Sequence, residues 1–224
     1  MHRDEVFGPG EIKMFYPGHL HVIAGLVGAG KTQTALKSTL PMLTEHEGWS
    51  IDFIDRQSHC EYVLGLARSV IGSGPIRSNG GFKFCGPHFV SDGLEWFANG
   101  RSNAELRKTI IIVDELGDLA FELSDGNDLG YGYNQASHLL KEVALLGPTV
   151  IATVQQRPGD NYGPVCESAN VIYGIHKEAE PSDHRLLEVR KNRFGPKAWN
   201  KKDTKVCLVG PKTLGLYSRA SNGE

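Results

Sequence analysis

The segment His19–Thr32, HLHVIAGLVGAGKT, constrains this chain more than any other stretch. An apolar run, Leu20 and Val22–Ala24, passes into Gly25-x-x-x-x-Gly30-Lys31-Thr32. With a strand before it and a helix after it, that spacing is the pattern of a phosphate-binding loop. Its glycines let the backbone curl so that N–H groups point at an anion, and the following helix aims its positive end at the same place. Gly25, Leu26, Val27, Gly28, Ala29, Gly30, Lys31, Thr32 and Gln33 are therefore the expected nucleotide cradle. Lys31 is expected to reach the β/γ-phosphates and Thr32 to ligate Mg²⁺, with ATP as the nucleotide.

The rest of the composition narrows the class. The chain has 224 residues and a net charge of −2, so no overall basic field draws in nucleic acid, and any such contact must be local. Cys60, Cys85, Cys166 and Cys207 are widely spaced, with no C-x-x-C pair, which suits a reducing compartment better than a disulfide frame or a zinc site. No apolar run approaches the ~20 residues needed to span a bilayer. The first residues, MHRDEVFGPGEIKMF, carry no signal-peptide core. The expected location is the cytoplasm, or the host cytoplasm if the protein is viral. The histidines show no metal-ligand spacing.

Taken in order, residues 1–18 read as an arm rich in Gly, Pro and charge. It is expected to pack locally through Phe7, Met14, Phe15 and Tyr16, or to cross to a neighbour in a ring. Residues 19–224 read as one domain. A helix is expected from Lys31 toward Leu40, ended or kinked by Pro41. Ser50–Asp55 reads as a strand, and Ser58-His-Cys-Glu61 as the capping box of a helix bearing Val63, Leu66, Ala67 and Val70 on one face. A short strand at Phe82–Cys85 lies in a loop, and Ser91 caps a short helix. Thr109–Val113, TIIIV, suits a strand buried on both faces of a parallel sheet. Leu116–Tyr133, with four glycines, reads as a long loop, after which Asn134 caps a helix stopped by Gly147-Pro148. Thr149–Val154 is the next core strand, Arg157–Pro164 a Gly/Pro turn, and Val171–Ile175 a further strand. Leu186–Arg190 and Lys205–Val209 read as an antiparallel pair. The expected architecture is α/β: a mostly parallel central sheet flanked by helices, with the C-terminal antiparallel pair at its edge. Lys31, Asp55, Asp114 and Gln155 all fall at or just past strand ends, where the site of such a sheet belongs.

Asp114 closes an apolar strand and is the expected partner of Mg²⁺. Glu115 beside it is the candidate base for an attacking water. Gln155 is either a group that touches the γ-phosphate or the water, or a strand-end amide bonded to backbone. Arg190-Lys191-Asn192-Arg193 places three cations in four residues. This is either a solvated turn or a finger reaching the phosphate site of an adjacent subunit.

These pieces resemble the RecA-like ATPase core shared by DnaB-type replicative helicases and RadA/Sms recombination factors, over roughly residues 15–220. The lead-in PGHLHVIAG, the unit from His138 through TVIATVQQ, the motif Lys191-Asn-Arg-Phe-Gly195 and the ending VCLVGPKTLGLYSRAS carry the resemblance. KNRFG matches the RadA/Sms motif letter for letter. The resemblance implies that Gln155 is a sensor, and that Lys191 and Arg193 act in trans on a neighbour's nucleotide in a hexameric ring or filament. It also implies DNA as a partner, single-stranded in this group, and a RecA-like ATPase domain at 19–224.

Three departures qualify it. Gln57 stands where RecA-like enzymes place a catalytic glutamate, so the base is expected at Glu115, the position used by many other phosphate-loop motors. The zinc and protease-like modules of RadA and the N-terminal domain of DnaB are not in this sequence, and the length suggests a compact genome such as a virus. The segment Leu116–Tyr133, a DNA-binding loop in the family, carries four acids and no Lys or Arg, whereas phosphate backbones are bound by cations. The leading expectation is a RecA-like ATPase motor acting on DNA. A genome-packaging ATPase and a nucleotide-dependent assembly protein that binds no nucleic acid are the alternatives.

Overall fold

The computed structural model describes residues 14–56, 60–71, 81–86, 90–98, 100–124, 128–156, 163–177, 185–194, 207–209 and 216–218. Phe7, Gln57 and Ser58 lie outside them.

The most apolar stretch sets the centre. β4 (Thr109–Asp114) is buried at every position, flanked by β2 (Ser50–Asp55) and β5 (Thr149–Gln155). β1 (Leu20–Gly25) lies between β5 and β6 (Val171–Lys177), and β3 (Phe82–Cys85) pairs with β2 at one edge. These six strands run parallel. β7 (Arg185–Asn192), β8 (Cys207–Val209) and β9 (Leu216–Ser218) continue the other edge antiparallel. Among the described residues the order is β3-β2-β4-β5-β1-β6-β7-β8-β9. The β7–β8 pair is the expected C-terminal one, and β9 extends it.

Strand alternation divides the core between the two faces of the sheet. Ile23, Phe53, Ile110, Ile112, Ile151 and Tyr173 face α1 (Lys31–Thr39) and α3 (Cys60–Ile71). Val22, Ile54, Ile111, Val113, Val150 and Ala152 face α4 (Val90–Ala98), α6 (Leu116–Leu123) and α7 (Leu129–Leu145). Each large side chain so buried stabilises the fold by roughly 1.5–3 kcal/mol. Pro41 separates α1 from the single turn of α2 (Met42–Glu45). α5 (Asn103–Arg107), absent from the sequence reading, begins with a capping box between Ser102 and Glu105. α8 (Gly163–Ser168) starts within the stretch read as a Gly/Pro turn.

The long loop expected at Leu116–Tyr133 is instead a helical hairpin. Leu116, Leu119 and Ala120 bury a helical stripe. Asp128, not Asn134, caps α7, its carboxylate accepting from the N–H groups of Gly130 and Tyr131. Gly132 sits where the two helices cross: a Cβ there would lie 2.0 Å from the Ala120 carbonyl oxygen. The glycines that looked like loop markers include one that close packing demands.

At the opposite end of the sheet, Met14 and Phe15 are buried in the core, and the Tyr173 hydroxyl donates to the Met14 carbonyl. This is local packing for the end of the arm. His21 is fully buried there. Its Nε2 accepts from the Tyr16 N–H at 3.0 Å, and Nδ1–H donates to the His19 carbonyl at 3.1 Å. Tyr16 stacks on it, and Phe15 meets it edge-on.

Burial first, then the neighbouring His19, lowers the His21 pKa from 6.5 to about 3. Between those values the unfolded chain binds the proton and the folded chain does not. Stability from this group is therefore full above pH 6.5 and lost as pH falls toward 3. Denaturation midpoints at pH 7 and pH 4 should show a smaller acid loss for His21→Gln than for wild type, the difference being on the order of a few kcal/mol. Equal losses would show that His21 is not the group titrating.

Candidate functional site

The loop after β1 has the shape its residues predict. Gly30 adopts φ +93°, which side chains disfavour, and the Ala29 N–H returns to the Leu26 carbonyl at 3.1 Å. α1 then begins at Lys31, so its first N–H groups open toward the loop. Lys31 Nζ donates to the carbonyls of Gly25 and Leu26 at 3.1 and 3.2 Å. Burial lowers the Lys31 pKa, against the opposing pull of Glu115 and Asp114. Leu26 and Val27 are exposed at the loop's tip, and Gln33 is exposed on the first turn of α1.

The strand ends meet this loop. Thr32 Oγ1 donates to Asp114 Oδ2 at 2.6 Å, and the Thr153 hydroxyl donates to Asp114 Oδ1. Burial raises the Asp114 pKa, the two hydroxyls oppose that shift, and Asp55, its register partner on β2, adds to it. The Asp114–Glu115 peptide is cis. Glu115 is the residue before α6, and its Oε1 accepts the Gln155 N–H at 3.2 Å. Burial raises its pKa as well, with Lys31 pulling the other way. The Gln155 backbone thus touches Glu115, and the Gln156 N–H donates to the Gly25 carbonyl at 2.9 Å.

A carboxylate hydrogen-bonded to a threonine hydroxyl at the head of a phosphate-binding loop is a set of hard oxygen donors. It suits Mg²⁺, which takes one or two protein oxygens and completes its shell with phosphate and water. Among the described residues no group of three or more His, Cys, Asp or Glu could hold a metal by itself. Thr32 and Asp114 would hold the ion, and its charge would offset that of the phosphates.

Lys191 and Arg193 lie elsewhere. Lys191 Nζ and Arg193 Nη2 both donate to the Glu167 carbonyl at the end of α8, at 3.3 and 2.6 Å. Asn192 pairs with Val171, which pairs with His21, four residues before Gly25. That is roughly 13 Å down the sheet from the loop. Phe194 packs on Tyr16 and His19, with ring centroids 4.6 and 4.5 Å apart. The KNRFG turn and the phosphate loop of the same chain therefore occupy opposite ends of the strands.

Two residues of the site escaped the sequence reading. Thr153 shares β5 with a second buried threonine, Thr149, and only the pairing of β5 with β4 brings it level with Asp114. Arg185 gave no signal, being 156 residues from its partner: its Nε donates to the Ala29 carbonyl at 3.0 Å, and it lies against Gly30. A hydrogen bond from a charged donor contributes about 1.5 kcal/mol to stability. Arg185→Ala should lower the unfolding free energy by about that amount in a denaturant titration; an unchanged midpoint would show that the contact is dispensable.

No protein-family model matches the sequence, and no curated protein matches it. Solved structures do. A KaiC-like protein, PH0186, from Pyrococcus horikoshii OT3 superposes with TM-score 0.69 at 16% identity, over 96% of this chain and 98% of that one. A solved ATPase domain gives TM-score 0.63 at 18% identity, over 86% and 81%. A DnaB-like replicative helicase, solved in a study of its interactions with primase, gives 0.61 at 16% identity, over 86% of this chain and 55% of that one. With the phosphate loop at the carboxyl ends of a parallel sheet and an antiparallel C-terminal edge, the chain has a RecA-like P-loop core.

Proposed function

We propose that this protein hydrolyses ATP at the interfaces of a ring or filament of its own copies and uses the energy to act on DNA, single-stranded in the first instance. The observation that carries the reading is the assembly of Lys31, Thr32, Asp114 and Glu115 at one end of the sheet while Lys191 and Arg193 stand at the other. A subunit so built supplies a nucleotide cradle from one end and cations from the other, so a complete site takes two copies. The DnaB-like helicase among the structural relatives supports the DNA part of the reading.

Each residue has a role in this scheme. The cradle Gly25–Thr32 binds the phosphates, and Lys31 leaves its carbonyl partners for them. Glu115 takes a proton from the attacking water. Gln155, adjoining Glu115 through its backbone, senses the γ-phosphate. Lys191 and Arg193 stabilise transition-state charge in the neighbour. Burial has raised the Glu115 pKa, in the direction that makes a carboxylate a better base near neutral pH.

Because Glu115 works as the carboxylate, activity is lost as pH falls through its raised pKa. The acid limb of kcat/KM should therefore lie above the ~4.3 of an ordinary glutamate. Glu115→Gln should retain ATP binding and lose turnover by at least about 10²-fold. Persistent turnover in that variant would place the base elsewhere.

A second reading, nucleotide-dependent assembly without nucleic acid, draws on the lack of Lys and Arg in residues 116–133. ATPase rate at low salt, with and without single-stranded DNA and alongside oligomer mass, separates the two. Stimulation supports the motor. Nucleotide-dependent oligomers indifferent to DNA support the second reading, and stimulation by duplex DNA alone points to a packaging-type motor.

A further inference from the structure

Arg190 is the first residue of the cationic run and takes no part in the scheme above. On β7, Lys191 pairs with Ile172 and Val189 with Tyr173. One residue of β6 thus separates pairs that lie two apart on β7, and Arg190 is the extra residue of a bulge. Bulges bend a strand and re-aim the side chains that follow. This one lies immediately before Lys191, Asn192 and Arg193.

The bulged side chain is held from several directions. Arg190 Nε donates to Glu188 Oε2 at 3.0 Å, Nη2 to His176 Nε2 at 2.9 Å, and Nη1 to Gln156 Oε1 at 3.4 Å. Its guanidinium lies over Gly174: a Cβ there would sit 2.3 Å from Arg190 Nε and 2.7 Å from Cζ. Gly174 pairs with Ala24, next to Gly25. Gln156 in turn donates its backbone N–H to the Gly25 carbonyl. One hydrogen-bonded unit therefore runs from the phosphate loop, through the end of β5, to the bulge from which the KNRFG turn departs.

We infer that Arg190 is a positioning residue. Seated on Gly174 and joined to Gln156, it sets the placement of the Lys191–Arg193 finger that a subunit offers its neighbour. The inference rests on the trans-finger reading above. Its defect should be one of presentation: an Arg190→Ala subunit keeps a sound nucleotide site and carries a poorly aimed finger.

Mixing experiments test this with the full chain. Arg190→Ala should bind a fluorescent ATP analogue and assemble like wild type, yet lose turnover by on the order of 10²-fold, the cost of about 1 Å of misplacement. Mixed with Lys31→Ala subunits, whose own sites are dead and whose fingers are intact, it should recover turnover well above either variant alone. Gly174→Ala should behave the same way, because the added methyl meets the movable end of a side chain and displaces it without pressing on backbone. A mixture of Arg193→Ala with Lys31→Ala is the reference. If the reference recovers and the Arg190→Ala mixture does not, Arg190 serves its own subunit's site and the inference fails. Wild-type turnover in Gly174→Ala also overturns it. If the reference does not recover, the finger reading falls and the inference falls with it.

Discussion

The carboxylate of Asp114 accepts hydrogen bonds from two hydroxyls, Thr32 at the head of α1 and Thr153 on β5. These contacts tie the phosphate loop to the two central strands beside it. Asp114 is 9% exposed, and a carboxylate held that deep without partners would cost several kcal/mol. The hydroxyls offset part of that cost. What remains appears as the upward shift of Asp114, caused first by burial; Lys31 is shifted down by its own burial, against the pull of Glu115 and Asp114. The resting site thus holds an acid shifted up and a base shifted down by burial, and Lys31 is bonded to its own loop. A cation at Asp114 and an anion at Lys31 would relieve both, which is the electrostatic sense in which the site fits a metal nucleotide.

The sheet separates two kinds of chemistry by distance along its strands. The carboxyl ends gather the candidate cradle, the candidate metal ligands and the candidate base. The other end gathers Phe15 and Tyr16 around His21, a histidine held neutral, with Phe194 packed on Tyr16 and His19. Strands β6 and β7 connect the two ends. Arg185 at the start of β7 touches Ala29, whereas Asn192 at its end lies beside α8 and the arm. A single antiparallel strand therefore contacts this subunit's phosphate loop and carries the cations proposed to serve another's.

Features carried by local periodicity or fixed spacing were legible in the sequence. The phosphate loop, the buried run of β4, the strand ends at Asp55, Asp114 and Gln155, and the antiparallel edge follow from patterns a few residues long. The α6–α7 hairpin was not legible, because glycine marks turns and tight helix crossings alike, and only the Ala120 carbonyl at Gly132 tells which applies. Thr153 and Arg185 were missed because their partners are set by sheet order rather than by spacing. The Arg190 bulge was equally hidden: a bulge is a property of two strands in register, and neither strand's sequence displays it alone.

The hairpin also changes what its acidity means. By composition, residues 116–133 repel a phosphate backbone. In the structure, Glu122 accepts from the N–H groups of Val90 and Ser91 at the start of α4 and pairs with Arg56 at the end of β2. Asp128 caps α7. Asp118 lies close enough to Glu115 to help raise its pKa. Three of the four acids therefore have duties inside this subunit, neutralising helix N-termini or tuning the candidate base, and Asp125 lies outside the described residues. Charges already matched by helix ends and an arginine project a weaker field than a bare count implies. The acidity of this segment is accordingly a consequence of how the hairpin is anchored, and it weighs less against a nucleic-acid partner than the sequence alone would have it.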